Sequence, residues 1–235
     1  MRNIYLLGIS LALGMIYLSV SASTAAAAGA KVGVIVVDLQ GDFTTIKKGS
    51  LAVAGTDQDY VDKVTAATEA LRKRGYPVFA TQDWHPADHV SFYTNHTGKK
   101  AFDVIDVAGK KQVLWPPQCV QKTENAKVLL DNKMFVGVVQ KGKDKKYDSY
   151  SGFQDDGGAK TEMNQLLKKN GIQELIVYGL ATDYCVKATA LDAVKAGYKV
   201  TVIEGLSKGV APDTTAKALD EMKQAGIAIK PQIDS

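Results

Sequence analysis

Residues 31–39, Lys-Val-Gly-Val-Ile-Val-Val-Asp-Leu, limit the fold more than any other stretch of this chain. A strand with one face in water alternates apolar and polar side chains. This run does not alternate, so both of its faces must be covered, as in a parallel sheet packed between helices. Asp38 stands at the C-terminal end of the run, where an acid is costly unless it has a partner or a role.

Shorter apolar runs recur at residues 77–81, 134–140, 174–178 and 199–203, with a short edge strand expected at 227–229. Helical spacing fills the intervals at 57–74, 161–170, 188–196 and 213–225, the first ending at Gly75 and the third at Gly197. Strands alternating with helices predict an α/β fold, a three-layer α/β/α arrangement around a mostly parallel sheet. Residues 87–131 have no convincing period, which for so long a segment argues for a loop-rich functional surface.

The chain has 235 residues, 46% of them hydrophobic and 23% charged, enough for one sizeable core, and no low-complexity linker divides it. We therefore expect a single domain over residues 31–235. The net charge is +4 and the lysines are scattered. Their densest cluster, residues 141–146, lacks interleaved aromatics and reads as a solvated loop, so a nucleic-acid partner is not expected. Residues 1–30 differ in kind: Arg2 is followed by an apolar run over 4–20 and a small-residue segment over 21–30. That layout is a signal peptide, with cleavage within residues 21–30, and places the body in the periplasm or outside the cell with no stable membrane span after processing. A retained N-terminal anchor is the rival reading. An oxidising compartment would permit Cys119 and Cys185 to pair, whereas a nucleophilic Cys185 must stay free.

The stretch from Gly179 to Lys187 follows the strand at 174–178 and places Cys185 near the first turn of the next helix. Unpaired N–H groups and the helix dipole there are expected to lower the thiol pKa. Asp38, Asp83, His85, Lys141 and Cys185 all fall at or just past the C-terminal ends of predicted strands, the edge at which parallel sheets bind ligands. Asp38, Lys141 and Cys185 form a chemical set: a carboxylate to take the thiol proton, an ammonium to orient the acid and stabilise the thiolate, and a sulfur to attack a carbonyl. Backbone N–H groups at Ala181 and Cys185 are candidates for the oxyanion site. Asp83-x-His85-x-x-x-His89 is a metal-type cluster suited to Zn²⁺, Fe²⁺ or Mn²⁺.

Several motifs, taken together, resemble the nicotinamidase (pyrazinamidase) family of the isochorismatase-like cysteine hydrolases. They are Asp38-Leu39-Gln40-x-Asp42-Phe43, Asp83-Trp84-His85-Pro86-x-x-His89-x-Ser91-Phe92, Trp115-Pro116-Pro117-x-Cys119, Lys141-Gly142, Asp148-Ser149-Tyr150-Ser151-Gly152-Phe153 and the stretch from Gly179 to Lys187. The resemblance implies a sheet of about six strands, the triad Asp38, Lys141 and Cys185, an oxyanion hole at Ala181 and Cys185, and a cis peptide between Leu180 and Ala181. It further implies one divalent metal ion held by Asp83, His85 and a third histidine, with His89 as a direct or water-mediated contact. Phe43, Trp115 and Tyr150 would line a pocket for a pyridine ring.

The chain departs from that pattern where the third histidine belongs, since position 118 is Gln118. An amide oxygen is a weaker ligand than imidazole for a transition metal, so reduced affinity, or a site leaning on His89, is expected. The implied activity is hydrolysis of nicotinamide and pyrazinamide through a Cys185 thioester. Two alternatives stand beside it: an amidase for carbamoyl or ureido substrates, which tolerates a weak metal site, and a non-catalytic exported binding protein. The partner expected is a small-molecule amide, and a homo-oligomer is left open.

Overall fold

Six parallel strands stand side by side in the order β5-β2-β1-β6-β7-β8. They are β1 (Val32–Val37), β2 (Val78–Asp83), β5 (Gly137–Lys141), β6 (Glu174–Gly179), β7 (Lys199–Ile203) and β8 (Ala228–Lys230). A separate antiparallel hairpin joins β3 (Val104–Val107) to β4 (Lys110–Val113). Among the described residues the α-helices are α1 (Gln58–Lys73), α2 (Met163–Lys169), α3 (Lys187–Lys195) and α4 (Pro212–Gln224). This computed structural model describes Met1 and residues 31–234. The expected signal peptide, its cleavage region and the rival anchor therefore lie outside the described residues. Among the described residues no helix is long and apolar enough to cross a membrane.

The apolar runs become two-sided strands by simple alternation. In β1, Val34 and Val36 face the α1 side with Tyr60, Val64 and Leu71, while Ile35 and Val37 face the other side with Met163, Leu167 and Ala190. Each such fully buried side chain contributes about 1.5–3 kcal/mol relative to exposure. The sheet is thus clamped between α1 and the α2–α4 layer, as the sequence pattern requires. The helix limits follow local chemistry: Asp57 caps α1 by accepting from the Tyr60 N–H at 3.1 Å, and Pro212 opens α4.

Two local expectations are corrected. Residues 87–131 are not all loop, because the β3–β4 hairpin lies within them, turning at Ala108 and Gly109 with φ of 51° and 80°. Its side chains are largely solvated, so no apolar period betrayed it. Residue 134 is not in β5 but in a 3-10 turn, Asn132–Met134, and β5 runs on to Lys141. That shift buries Lys141 completely and separates it from the exposed lysines of 143–146.

Candidate active site

The four neighbouring strands β5, β2, β1 and β6 end at one edge of the sheet. Parallel neighbours lie about 4.8 Å apart, so the residue that ends each strand meets the next. Lys141 and Asp83 are register partners. The buried Lys141 ammonium lies 3.0 Å from Asp38 Oδ2, donates to Asp83 Oδ1, and also donates to the Ser149 carbonyl at 2.6 Å. Its distance to Cys185 Sγ is 3.5 Å. The structure therefore brings Asp38, Lys141 and Cys185 together. Burial alone would push the Lys141 pKa down, but Asp38 and Asp83 outweigh it and hold the group well above its ordinary value.

Asp38 is locked from below. Its backbone has φ of 46°, its N–H donates to Thr81 Oγ1 at 3.1 Å, and the Thr81 hydroxyl donates back to Asp38 Oδ1 at 2.6 Å. Burial raises the Asp38 pKa to about 6, against the pull of Lys141.

For Cys185 the structure corrects the sequence expectation on two counts. The residue lies in a π-helical turn, Thr182–Val186, and α3 begins only at Lys187. Burial pushes its thiol well above the ordinary value, with Lys141 pulling the other way. Burial thus favours the thiol over the thiolate, and an Asp38 carboxylate oxygen lies within 4.8 Å of the sulfur. The Leu180–Ala181 peptide is cis, and among the described residues no acceptor meets the Ala181 N–H, which leaves it free to donate to an oxyanion. Gly179 cannot carry a side chain, since a Cβ there would stand 2.1 Å from the Val37 carbonyl oxygen.

Above the sulfur opens a small pocket of about 40 Å³. Phe43, Trp115 and Tyr150 line it as expected, joined by Leu51, Val53, Tyr184 and Val210. Trp115 Nε1 donates to the Tyr150 hydroxyl at 3.1 Å, and Tyr184 sits edge-on to Trp115 with ring centroids 5.0 Å apart. Flat aromatic walls at this spacing suit a small planar ring. Asp83, Gln118 and Asp148 supply its polar side.

The proposed metal residues separate into two kinds. His85 is fully buried, yet neither ring nitrogen has a hydrogen-bond partner, and the buried Gln118 Oε1 is equally unpartnered. Such atoms fit a bound cation, because an unmet buried polar atom is otherwise costly. Beside them Asp38 and Asp83 share the Lys141 ammonium, and Asp148 Oδ1 stands 3.8 Å from His85 Nε2. His89 differs. Its Nδ1 is engaged by Ser91 at 2.7 Å and its Nε2 by the Tyr147 carbonyl at 3.1 Å. Burial, with His85 close by, lowers its pKa to about 4, so it is neutral. Donor atoms of His85, His89 and Asp148 lie within 4.8 Å of one another, as do those of Asp38, Asp83 and Cys185, but Lys141 already occupies the second space.

This arrangement can be compared with known proteins. The isochorismatase domain matches residues 32–231. The chain belongs to the isochorismatase family. Among curated relatives, the nicotinamidase of Escherichia coli (strain K12) is 43% identical over 83% of this chain and 92% of its own length. The nicotinamidase of Saccharomyces cerevisiae is 32% identical over 83% of this chain and 97% of its own. Among solved structures, an Acinetobacter baumanii nicotinamidase-pyrazinamidase superimposes with a TM-score of 0.77 at 38% identity, covering 85% of this chain and 95% of that one. A Pyrococcus horikoshii pyrazinamidase in complex with zinc has a TM-score of 0.71 at 34% identity, covering 85% and 98%.

Sequence reasoning missed several supports in this isochorismatase-family site. Gln40 bonds both the N–H and the C=O of Asp83, at 2.7 and 2.9 Å. Asp42 accepts from the Cys119 N–H at 2.7 Å and so fixes the loop that carries Gln118. Asp148 stands 3.8 Å from His85 Nε2. Gln40, Asp42 and Asp148 lie within the motifs quoted above, but their spacing carries no sign of what they touch. The suggested pairing of Cys119 with Cys185 does not form: both thiols are free, and the two residues pack on opposite faces of the sheet.

Proposed function

We propose that this chain is a cysteine amidohydrolase that converts nicotinamide, and pyrazinamide, to the corresponding acid and ammonia. Its membership of the isochorismatase family and its 32–43% identity to nicotinamidases support the reading. The observation that carries it is the buried contact of Lys141 with both Asp38 and Cys185 beneath an aromatic pocket.

Asp38 takes the thiol proton, and Lys141 stabilises the sulfur anion as it forms. The thiolate attacks the amide carbonyl, whose oxygen becomes an oxyanion received by the N–H groups of Ala181 and Cys185. Asp38 returns its proton to the departing ammonia, which leaves a thioester on Cys185. Asp38, again a carboxylate, then activates the water that releases the acid. Phe43, Trp115 and Tyr150 hold the ring, with Tyr184 closing the same wall.

A divalent ion, Zn²⁺, Fe²⁺ or Mn²⁺, would be held by Asp83 and His85 with Gln118 beside them, and it supplies a Lewis acid for the ring nitrogen. The substitution of Gln118 favours one rival, an amidase for carbamoyl or ureido substrates that works without tight metal binding. Ammonia release from nicotinamide and pyrazinamide, measured against a ureido panel with and without chelator, separates the two. Chelator-sensitive release from nicotinamide supports our reading, and release from the ureido panel alone replaces it. Cys185→Ala should abolish release while the far-ultraviolet circular dichroism stays unchanged. Export to the periplasm or beyond is supported by the apolar run at residues 4–20. N-terminal sequencing of protein recovered from its own host checks it, with a start inside residues 21–31 expected.

A further inference from the structure

The strands of the β3–β4 hairpin are largely solvated, yet the one side chain they bury is polar. Of the residues in these two strands only Gln112 is buried, at 5% exposure, while Val104 on the same hairpin keeps 54%. A buried amide is costly unless its hydrogens are met, so this inversion of the usual order marks a specific contact. Gln112 Nε2 donates to the Val113 carbonyl and to Asp148 Oδ2, both at 2.8 Å, and stands 3.4 Å from the Tyr150 hydroxyl. Asp148 is buried as well, and its Oδ1 accepts from the Ser149 N–H at 2.8 Å. Burial, with the Asp148 carboxylate close by, holds the Tyr150 pKa well above its ordinary value, so the hydroxyl stays a neutral phenol.

The same strand delivers the second contact to that hydroxyl. β4 runs directly into Leu114 and Trp115, and Trp115 Nε1 donates to the Tyr150 hydroxyl at 3.1 Å. Trp115 is fixed by its own backbone N–H, which donates to the Ser91 carbonyl at 2.7 Å, and by Phe102, edge-on to its ring with centroids 6.0 Å apart. Tyr150 and Trp115 line the pocket, whereas Gln112 does not. Resting on the amidohydrolase reading above, we infer that Gln112 is a positioning residue for substrate binding: from behind the pocket wall its amide sets the place of Tyr150 against Trp115, and so the width of the slot that admits a flat ring. It acts on how the ring is held and leaves the chemistry at the sulfur to Asp38 and Lys141.

The test is Gln112→Leu, which keeps the bulk and removes the donors. KM for nicotinamide should rise by about tenfold, the size of one lost hydrogen bond, with kcat changed by less than about twofold. In a Tyr150→Phe chain, which lacks the shared hydroxyl, the same substitution should change KM by less than about twofold. An unchanged KM, a loss carried by kcat, or an equal loss in both backgrounds overturns the inference. In a Trp84→Phe chain Trp115 is the sole tryptophan, and ultraviolet resonance Raman reads the hydrogen bond of its indole N–H. Gln112→Leu should shift that band toward a weaker bond, and an unmoved band counts against the assignment. Gln112→Asn, which draws the amide back by one methylene, carries the same measurements if the leucine variant does not fold. Nicotinamide binding to Cys185→Ala, followed by tryptophan emission, separates this inference from the function beneath it. Binding that weakens with Gln112→Leu, in a protein whose wild type releases no ammonia, defeats the function and spares Gln112. Ammonia release by the wild type, with binding indifferent to Gln112→Leu, defeats the role of Gln112 alone.

Discussion

In the proposed mechanism Asp38 must lose a proton before it can act as base, yet its surroundings make that loss harder. Burial raises its pKa to about 6, and the Thr81 hydroxyl and the Lys141 ammonium resist the rise. The carboxylate is the form that accepts the thiol proton, so kcat/KM should fall as pH drops through about 6, by about tenfold per unit well below it. Thr81→Val removes a hydrogen bond to the charged form, so this acid limb should move to higher pH, which a pH profile of ammonia release reads directly. Lys141 is the counterweight. Lys141→Ala leaves Asp38 and Asp83 buried without their cation and should cost about 3–5 kcal/mol in denaturant unfolding at neutral pH. Asp38 and Lys141 were legible in the sequence because a charge at the end of an apolar run is conspicuous. Asp148 and Thr81 were not: each does its work through a contact across the fold, and Thr81 read only as the last residue of a strand.

At the scale of elements, the regular parts were readable and the irregular ones were not. The parallel strands and the four helices announce themselves through buried periodicity, which survives in sequence because it is repeated. The π-helical turn at Thr182–Val186 does not, because what sustains it is a distant contact. Asp183, buried in that turn, accepts from the Val210 N–H at 2.9 Å, the Ala211 N–H at 3.3 Å and the Thr214 hydroxyl. One carboxylate thereby joins the turn that carries Cys185 to the start of α4 and to Val210 on the pocket wall. Asp183→Ala strands those donors and should destabilise the chain by about 1–3 kcal/mol in thermal or denaturant unfolding. It should also raise KM more than it lowers kcat, because the wall moves more than the sulfur does.

Across the whole molecule, strand order makes the site. Asp38, Asp83, Lys141 and Cys185 are scattered along the sequence, but β5, β2, β1 and β6 are neighbours in the sheet and end together. The sequence revealed that these residues sit at strand ends; the order of the strands, which converts that into contact, depends on pairings no local pattern records. The same order puts the thiol out of water, where burial holds its pKa well above the ordinary value, so the proposed chemistry needs a base such as Asp38 to take its proton. The central claim is that Cys185 becomes acylated. Rapid-quench mass spectrometry of the chain mixed with nicotinamide tests it most directly. A nicotinoyl thioester on Cys185 that forms and decays at the rate of turnover is predicted, and steady ammonia release with Cys185 never modified would contradict it.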